Sequence, residues 1–179
     1  MARLMVDNLN QADEERFVDT LGGVYEESPW VAERTWSKRP FSSIDDLQQA
    51  MAETVHDASR EKQLALLRAH PDLGERTEMT DESQEEQASA GLDQLSPAQY
   101  ETFQQLNETY RDKFGFPFIM AVKDESIDTI QQSMKNRIEH SQSKEFQTAL
   151  DEVNVIAELR LAELTTSRDE LPGQASNNN

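Results

Sequence analysis

Apolar positions recur at three- and four-residue intervals along most of this chain, the period of helices that bury one face. Phe17, Val18 and Leu21 fall on one side of a short helix within residues 10–21, and Gly22-Gly23 supply a stop of the kind found just past a last turn. Ser43 can cap a stretch carrying Ile44, Leu47, Met51 and Val55, and Ser59 can cap the next, through Leu64 and Leu67. That helix must stop at His70, because Pro71 disfavours helical geometry in the residue before it. The clearest helix starts at Ser96. Ser96-Pro97-Ala98-Gln99 reads as a capping box with proline in the first helical position, Tyr100, Phe103, Leu106, Tyr110 and Phe114 form the stripe, and Gly115 closes it. Ile127, Ile130, Met134 and Ile138 mark another helix, and Phe146, Leu150, Val153, Ala157, Leu161 and Leu164 the last.

Two stretches lack this period. Trp30 to Phe41, with Pro29 just before it, reads as a packed loop holding one short helix. Gly115-Phe116-Pro117-Phe118-Ile119-Met120-Ala121-Val122 is too short and too punctuated for a helix and has no partner strand, so a buried, extended segment is expected. Its backbone groups then need partners other than a ladder: side chains, water, or a bound polar ligand.

The expected fold is an all-α, single-domain bundle of about seven to nine helices over residues 1–171, with a disordered tail at 172–179. The chain has 179 residues, enough for one core and not for two large ones, and only six glycines and six prolines. No internal repeat is visible.

Charge narrows the functional classes. Asp and Glu number 35 against 17 Lys and Arg, a formal charge of −18 spread along the chain, which repels phosphate backbones and anionic headgroups. Neither nucleic acid nor a membrane surface is an expected partner. With six lysines beside eleven arginines, the carboxylate-rich, lysine-poor surface is what a protein kept soluble in high salt would carry, so a halophilic source is the hypothesis. The absence of cysteine excludes disulfides, thiolate metal sites and cysteine nucleophiles, and points to a reducing compartment. MARLMVDNLN lacks a signal peptide's apolar core, and SNNN is no peroxisomal signal, so the cytoplasm is expected.

A few residues can carry chemistry. His70, at a helix C-terminus where the dipole favours imidazolium, suits proton transfer, or merely bonds the last carbonyls of its helix. His56 and His140 read as polar-face histidines. Ser83, Glu86 and Gln87 share one helical face and can converge on a small polar molecule; alternatively Ser83-Gln84-Glu85-Glu86 is itself a capping box, with Ser83 as cap. Arg160 lies on or beside an apolar stripe, where its guanidinium needs an anion: a substrate, or a buried carboxylate. No glycine-rich phosphate loop and no His-x-x-x-His pair is present, and no metal site is expected.

Taken together, His70-Pro71-Asp72-Leu73-Gly74, Ser83-Gln84-Glu85-Glu86-Gln87 with Ala90-Gly91-Leu92, Leu106-Asn107-Glu108-Thr109-Tyr110 leading into Lys113-Phe114-Gly115-Phe116-Pro117-Phe118-Ile119, and Ile156-Ala157-Glu158-Leu159-Arg160-Leu161 resemble the 2-oxo-4-hydroxy-4-carboxy-5-ureidoimidazoline (OHCU) decarboxylases of urate degradation. The resemblance spans roughly residues 9–165 and implies an all-helical, cofactor-free homodimer that converts OHCU, an anionic ureidoimidazoline, to (S)-allantoin and carbon dioxide. It makes His70 and Glu86 catalytic, with Pro71, Ser83, Gln84, Glu85, Gln87, the backbone of Phe118, Ile119, Met120, Ala121 and Val122, and the Arg160 side chain binding substrate. One departure stands out: Gly74 directly follows Leu73, where the family has alanine and then glycine, and the loop to Ser83 is several residues shorter.

The chemistry agrees with this residue set. Losing carbon dioxide from a hydroxyl-bearing carbon next to a ring carbon–nitrogen double bond leaves electron density that the ring accepts, so the site must orient, stabilise charge and deliver a proton to one face. The readings from other classes are a non-catalytic acidic helical interaction protein, which predicts an exposed apolar patch, and a metal-dependent hydrolase using His70 with Asp72, Glu85 or Glu86.

Overall fold

Helix caps written in the sequence set most of the architecture. The computed structural model describes residues 2–75 and 78–169, and among these there are nine helices and no strand. They are α1 (Ala2–Gln11), α2 (Glu14–Leu21), α3 (Trp30–Trp36), α4 (Ile44–Asp57), α5 (Arg60–Arg68), α6 (Asp81–Ser89), α7 (Pro97–Phe114), α8 (Ile127–Ile138) and α9 (Gln142–Asp169). The segment 172–179, expected to be a tail, lies outside the described residues, as do residues 76 and 77 of the short loop.

Ser43 accepts from the Asp46 amide at 3.0 Å, Ser59 from that of Lys62 at 3.2 Å, and Ser96 and Gln99 close a reciprocal capping box at 3.2 and 2.9 Å. Gly115 ends α7 in the left-handed conformation, φ 81°.

The N-terminal region departs from expectation. Instead of one helix over residues 10–21 there are two, because Asp13 caps α2 through the Arg16 amide at 2.9 Å while α1 buries Met5, Val6 and Leu9. The Ala12 carbonyl, just past α1, accepts from Arg39 at 2.8 Å and Trp36 at 3.1 Å, so the aperiodic Trp30–Phe41 stretch is ordered by closing α1. Gly22 caps α2 in right-handed geometry, φ −61°, rather than as a left-handed stop. What requires glycine there is space: a Cβ would sit 2.7 Å from the Val18 carbonyl oxygen.

The last helix organises the core. α9 has 28 residues, about 42 Å of helix, and lies against α4, α5 and α7, burying Ala149, Val153, Ala157 and Leu161. Tyr110 of α7 stands between Phe114 and Phe118, ring centroids 4.5 and 5.3 Å away, the latter perpendicular. The segment after α7 is buried, with Phe116, Phe118, Ile119 and Val122 inside, but is irregular, with neither helix nor strand. Side chains satisfy three of its backbone groups: Arg68 donates to the Gly115 carbonyl at 3.0 Å, Arg137 donates to the Ile119 carbonyl at 2.6 Å, and the Ala121 amide donates to Glu152 at 3.3 Å.

Candidate active site

The end of α5 and the inner faces of α6 and α9 meet at one place. α5 stops at Arg68 with Ala69 as its cap, which leaves His70 pointing back along the helix: its Nδ1 is 3.0 Å from the Leu66 carbonyl. A carbonyl only accepts, so Nδ1 carries the hydrogen and Nε2 of the neutral ring keeps its lone pair. His70 is 8 % exposed, and burial pushes its pKa down to about 4, against the opposing charge of Glu26. The expectation of a helix-dipole imidazolium is thereby corrected: the ring is neutral near pH 7, and desolvation outweighs the dipole.

The loop after His70 is drawn tight. Asn107 donates to the Leu73 carbonyl at 2.9 Å and Gln87 accepts from the Gly74 amide at 3.0 Å. Gly74 has φ +78°, and a Cβ would meet Leu95 Cδ1 at 2.8 Å, so glycine directly after Leu73 is what this turn allows.

Ser83 does not cap its helix. Thr80 does, accepting from the Ser83 amide at 3.3 Å. The capping-box reading of Ser83 and Glu86 is therefore overturned; Ser83 is freed to donate its hydroxyl to Glu26 at 2.5 Å, a partner no local pattern announces. Glu86, one turn on, faces Arg160 of α9: Nε to Oε1 is 2.6 Å and Nη2 to Oε2 is 3.2 Å. Arg160 also donates from Nη2 to Glu26 at 2.8 Å and to Ser83 at 3.2 Å, and from Nη1 to the Gly23 carbonyl at 3.3 Å. Of the two sequence readings of Arg160, its partner in this state is a buried carboxylate, and in fact two of them.

These groups enclose a cavity of about 30 Å³, room for roughly one water. His70 and Pro71 line one side, Ser83, Glu86 and Gln87 another, Arg160 and Ile156 a third, and Phe118, Ile119, Met120 and Val122 the apolar wall. Ala121 belongs to an adjoining space of about 10 Å³ that shares Glu86 and Arg160. Two expected site residues lie elsewhere: Gln84 and Glu85 point to solvent, Gln84 donating to the Met79 carbonyl at 3.2 Å, because they occupy the face of α6 opposite Ser83 and Gln87. Asp72, a metal ligand in the hydrolase reading, is paired with Arg111 at 2.6 Å, and Glu85 is exposed. His56 is exposed at the end of α4, and His140, just past α8, has Nδ1 3.2 Å from Glu145.

Glu26 is the residue the sequence reading missed. It stands in the loop between α2 and α3, 2 % exposed, and accepts from Thr80 at 2.6 Å besides Ser83 and Arg160. Burial acts to raise its pKa, but the bonds from Ser83, Thr80 and Arg160 outweigh that and hold it below the ordinary carboxylate range. Glu86 goes the other way: burial raises it, Arg160 opposes, and the Glu26 charge adds to the rise. The only sequence signal for Glu26 was indirect, the need of an inward arginine for an anion.

Comparisons with known proteins bear on this arrangement. The model of the OHCU decarboxylase family matches residues 10–162. The chain is 80 % identical over 169 residues to a 2-oxo-4-hydroxy-4-carboxy-5-ureidoimidazoline decarboxylase of Halalkalicoccus jeotgali, covering 94 % of this chain and 96 % of that protein. It is 65 % identical over 167 residues to the protein of the same name from Haloferax volcanii, covering 93 % and 99 %. A crystal structure of (S)-allantoin synthase superposes with a TM-score of 0.72 at 33 % identity, over 89 % of this chain and 53 % of that one.

Proposed function

This chain belongs to the OHCU decarboxylase family and is a decarboxylase of urate degradation, and we propose that its reaction takes place in the cavity between α5, α6 and α9. The observation that carries the placement is the meeting of His70, Glu86 and Arg160 at one cavity, although Glu86 and Arg160 are 74 residues apart in sequence.

OHCU enters as a carboxylate. Arg160 takes that carboxylate and holds its bond to the ring out of the ring plane, and the amides of the Phe118–Val122 wall take the ureido carbonyl. The carbon–carbon bond breaks, carbon dioxide leaves, and the electron pair runs into the adjacent ring carbon–nitrogen double bond. The ring nitrogen takes one proton from solvent. His70 Nε2 then removes the hydroxyl proton, forming the ring carbonyl, and returns it to the neighbouring ureido-bearing carbon from the same face, which yields one hand of allantoin. A neutral imidazole with a free Nε2 suits this order: it accepts before it donates. Glu86 accepts hydrogen bonds from the ureido N–H groups and keeps the ring face turned to His70. All electrons are accommodated by the substrate, so the residues work without a cofactor.

Freshly generated OHCU given to the purified protein tests the reading. Its decay to allantoin, followed by circular dichroism, is expected to outrun the spontaneous reaction and give the S form; a racemate at the spontaneous rate would remove the activity.

The acidic-adaptor reading expects an exposed apolar patch, yet among the described residues Val155 alone is an exposed large hydrophobic side chain. No helix among them is long and apolar enough to cross a membrane. The finer expectations remain proposals: a cytoplasmic homodimer, checked by sedimentation, and an enzyme adapted to salt, whose stability and activity rise from low to molar salt. Its basis is the excess of 35 acidic over 17 basic residues.

A further inference from the structure

We propose that Glu26 is the fixed counter-ion of Arg160 and that an incoming substrate carboxylate takes the place of Glu86, not of Glu26, on the guanidinium. The inference rests on the functional reading above and deepens it.

At the cavity two carboxylates share one guanidinium beside a neutral imidazole, a balance of one negative charge around a space of about 30 Å³. A third carboxylate enters such a site only if one of the first two gives way. The two are not equivalent. Glu26 lies behind the cavity and does not line it; its oxygens accept from two hydroxyls as well as from Arg160, and one hydroxyl is the Thr80 cap of α6. Moving Glu26 breaks the Arg160, Ser83 and Thr80 contacts together. Glu86 lines the cavity, its side chain is 17 % exposed against 2 % for Glu26, and its hydrogen bonds at the site run to Arg160 alone. Their ionisation tendencies agree: Glu26 is held below the ordinary carboxylate range and Glu86 is raised above it.

Geometry also shows what the exchange accomplishes. The 30 Å³ cavity and the adjoining 10 Å³ space share Glu86, Val122, Ile156 and Arg160, and neither admits a substrate with more than a dozen heavy atoms. Glu86 is the one of these four whose departure frees a charged donor, the Arg160 Nε edge. Rotation of its side chain joins the two spaces and frees its carboxylate to accept from the ureido N–H groups of the substrate; Lys123, which lines the second space, is held by Glu163 at 2.6 Å. Glu26 then acts as a positioning residue: through Nη2 it keeps Arg160 in register while Nε changes partner.

The test is calorimetric binding of two non-reacting ligands, allantoate, an open-chain ureide carboxylate, and uncharged allantoin, to the full chain and its Glu26→Gln and Glu26→Asp variants. With the anchor neutralised, Arg160 collapses onto Glu86, so Glu26→Gln should weaken allantoate at least about tenfold while allantoin stays within about twofold. Glu26→Asp should restore allantoate to within about threefold of the wild type. Equal weakening of both ligands would make Glu26 mere scaffold, and tighter allantoate binding would mean that bulk charge, not anchoring, governs the site; either overturns the proposal. A wild-type structure with allantoate decides independently of any variant's folding. The ligand carboxylate is expected on Arg160 Nε with Glu26 still on Nη2, and Glu86 remaining on Nε would contradict it. No turnover is measured, so a chain that binds allantoate in this way yet leaves OHCU alone sinks the function and spares the exchange.

Discussion

Two buried arginines face the same problem in this molecule and solve it differently. Arg137 of α8 is 7 % exposed and meets Glu145, 0 % exposed, through Nε at 2.9 and 3.1 Å and Nη2 at 2.9 Å, while Nη1 goes to the Ile119 carbonyl at 2.6 Å. Tyr110 donates to the same carboxylate at 2.8 Å. Burial acts to raise Glu145, but Arg137 and Tyr110 overcome it and hold it low, so one cation and one anion are matched and nothing is left to exchange. Arg160 meets two carboxylates of opposite tendency at the wall of a cavity. The first pair fixes the wall segment that follows α7; the second is an unbalanced cluster, stable enough to fold and ready to trade a partner. Burial of an ion pair alone therefore says little about function; the count of charges and the presence of space decide.

The largest effect that sharpens this contrast is expected from Arg137→Ala. Glu145 would stay buried without its cation, costing about 3–5 kcal/mol in urea unfolding; a loss under about 1 kcal/mol would show that the pair does not hold the wall. Next comes the acid response of His70. Its folded pKa of about 4 lies below the ordinary 6.5, so between those values the unfolded chain binds a proton that the native ring refuses. Stability is therefore complete above pH 6.5 and falls on acidification towards pH 4, by up to about 3 kcal/mol. His70→Gln should flatten that part of the profile, and an unchanged slope would place the imidazole in water. Glu86→Gln should reduce turnover roughly 10- to 100-fold while changing stability by less than about 1 kcal/mol, because the fold does not favour its ionised form. An equal loss of stability would make Glu86 a fastener like Glu145. The smallest effect belongs to Glu85→Gln: outside the cavity, it should alter kcat/KM by less than about twofold and stability by about 0.5 kcal/mol or less.

Helices with a stripe and a cap were legible because both signals are local. Ser43, Ser59 and Ser96 each bond the amide three residues on, and Leu47, Met51 and Val55 on one stripe and Phe103, Tyr110 and Phe114 on the other are buried as their spacing requires. α1 was missed because its buried set, Met5, Val6 and Leu9, is short, and its end is closed by Arg39 and Trp36 from a distant segment. In the site, His70, Ser83, Glu86, Gln87 and Arg160 were findable from position on a helix and from the resemblance of their motifs. Glu26 was not, since a carboxylate in the aperiodic run Val24-Tyr25-Glu26-Glu27-Ser28 carries no mark of burial, and its three donors come from α6, the cap before it, and α9. The protonation of His70 was misread for a related reason: the helix end is visible in sequence, the depth of the ring is not. Gln84 and Glu85 show the limit of carrying over a contiguous run, as helical geometry carries the residues one and two positions after Ser83 off the face that Ser83, Glu86 and Gln87 share.

The account's central claim is that the chemistry occurs against the His70 ring, and the most direct measurement compares wild type with His70→Ala on fresh OHCU, following allantoin by circular dichroism with far-ultraviolet spectra confirming the fold. The predicted result is S-allantoin from the wild type and, from the variant, a racemate at the spontaneous rate. Full-rate formation of the S form by folded His70→Ala would contradict it.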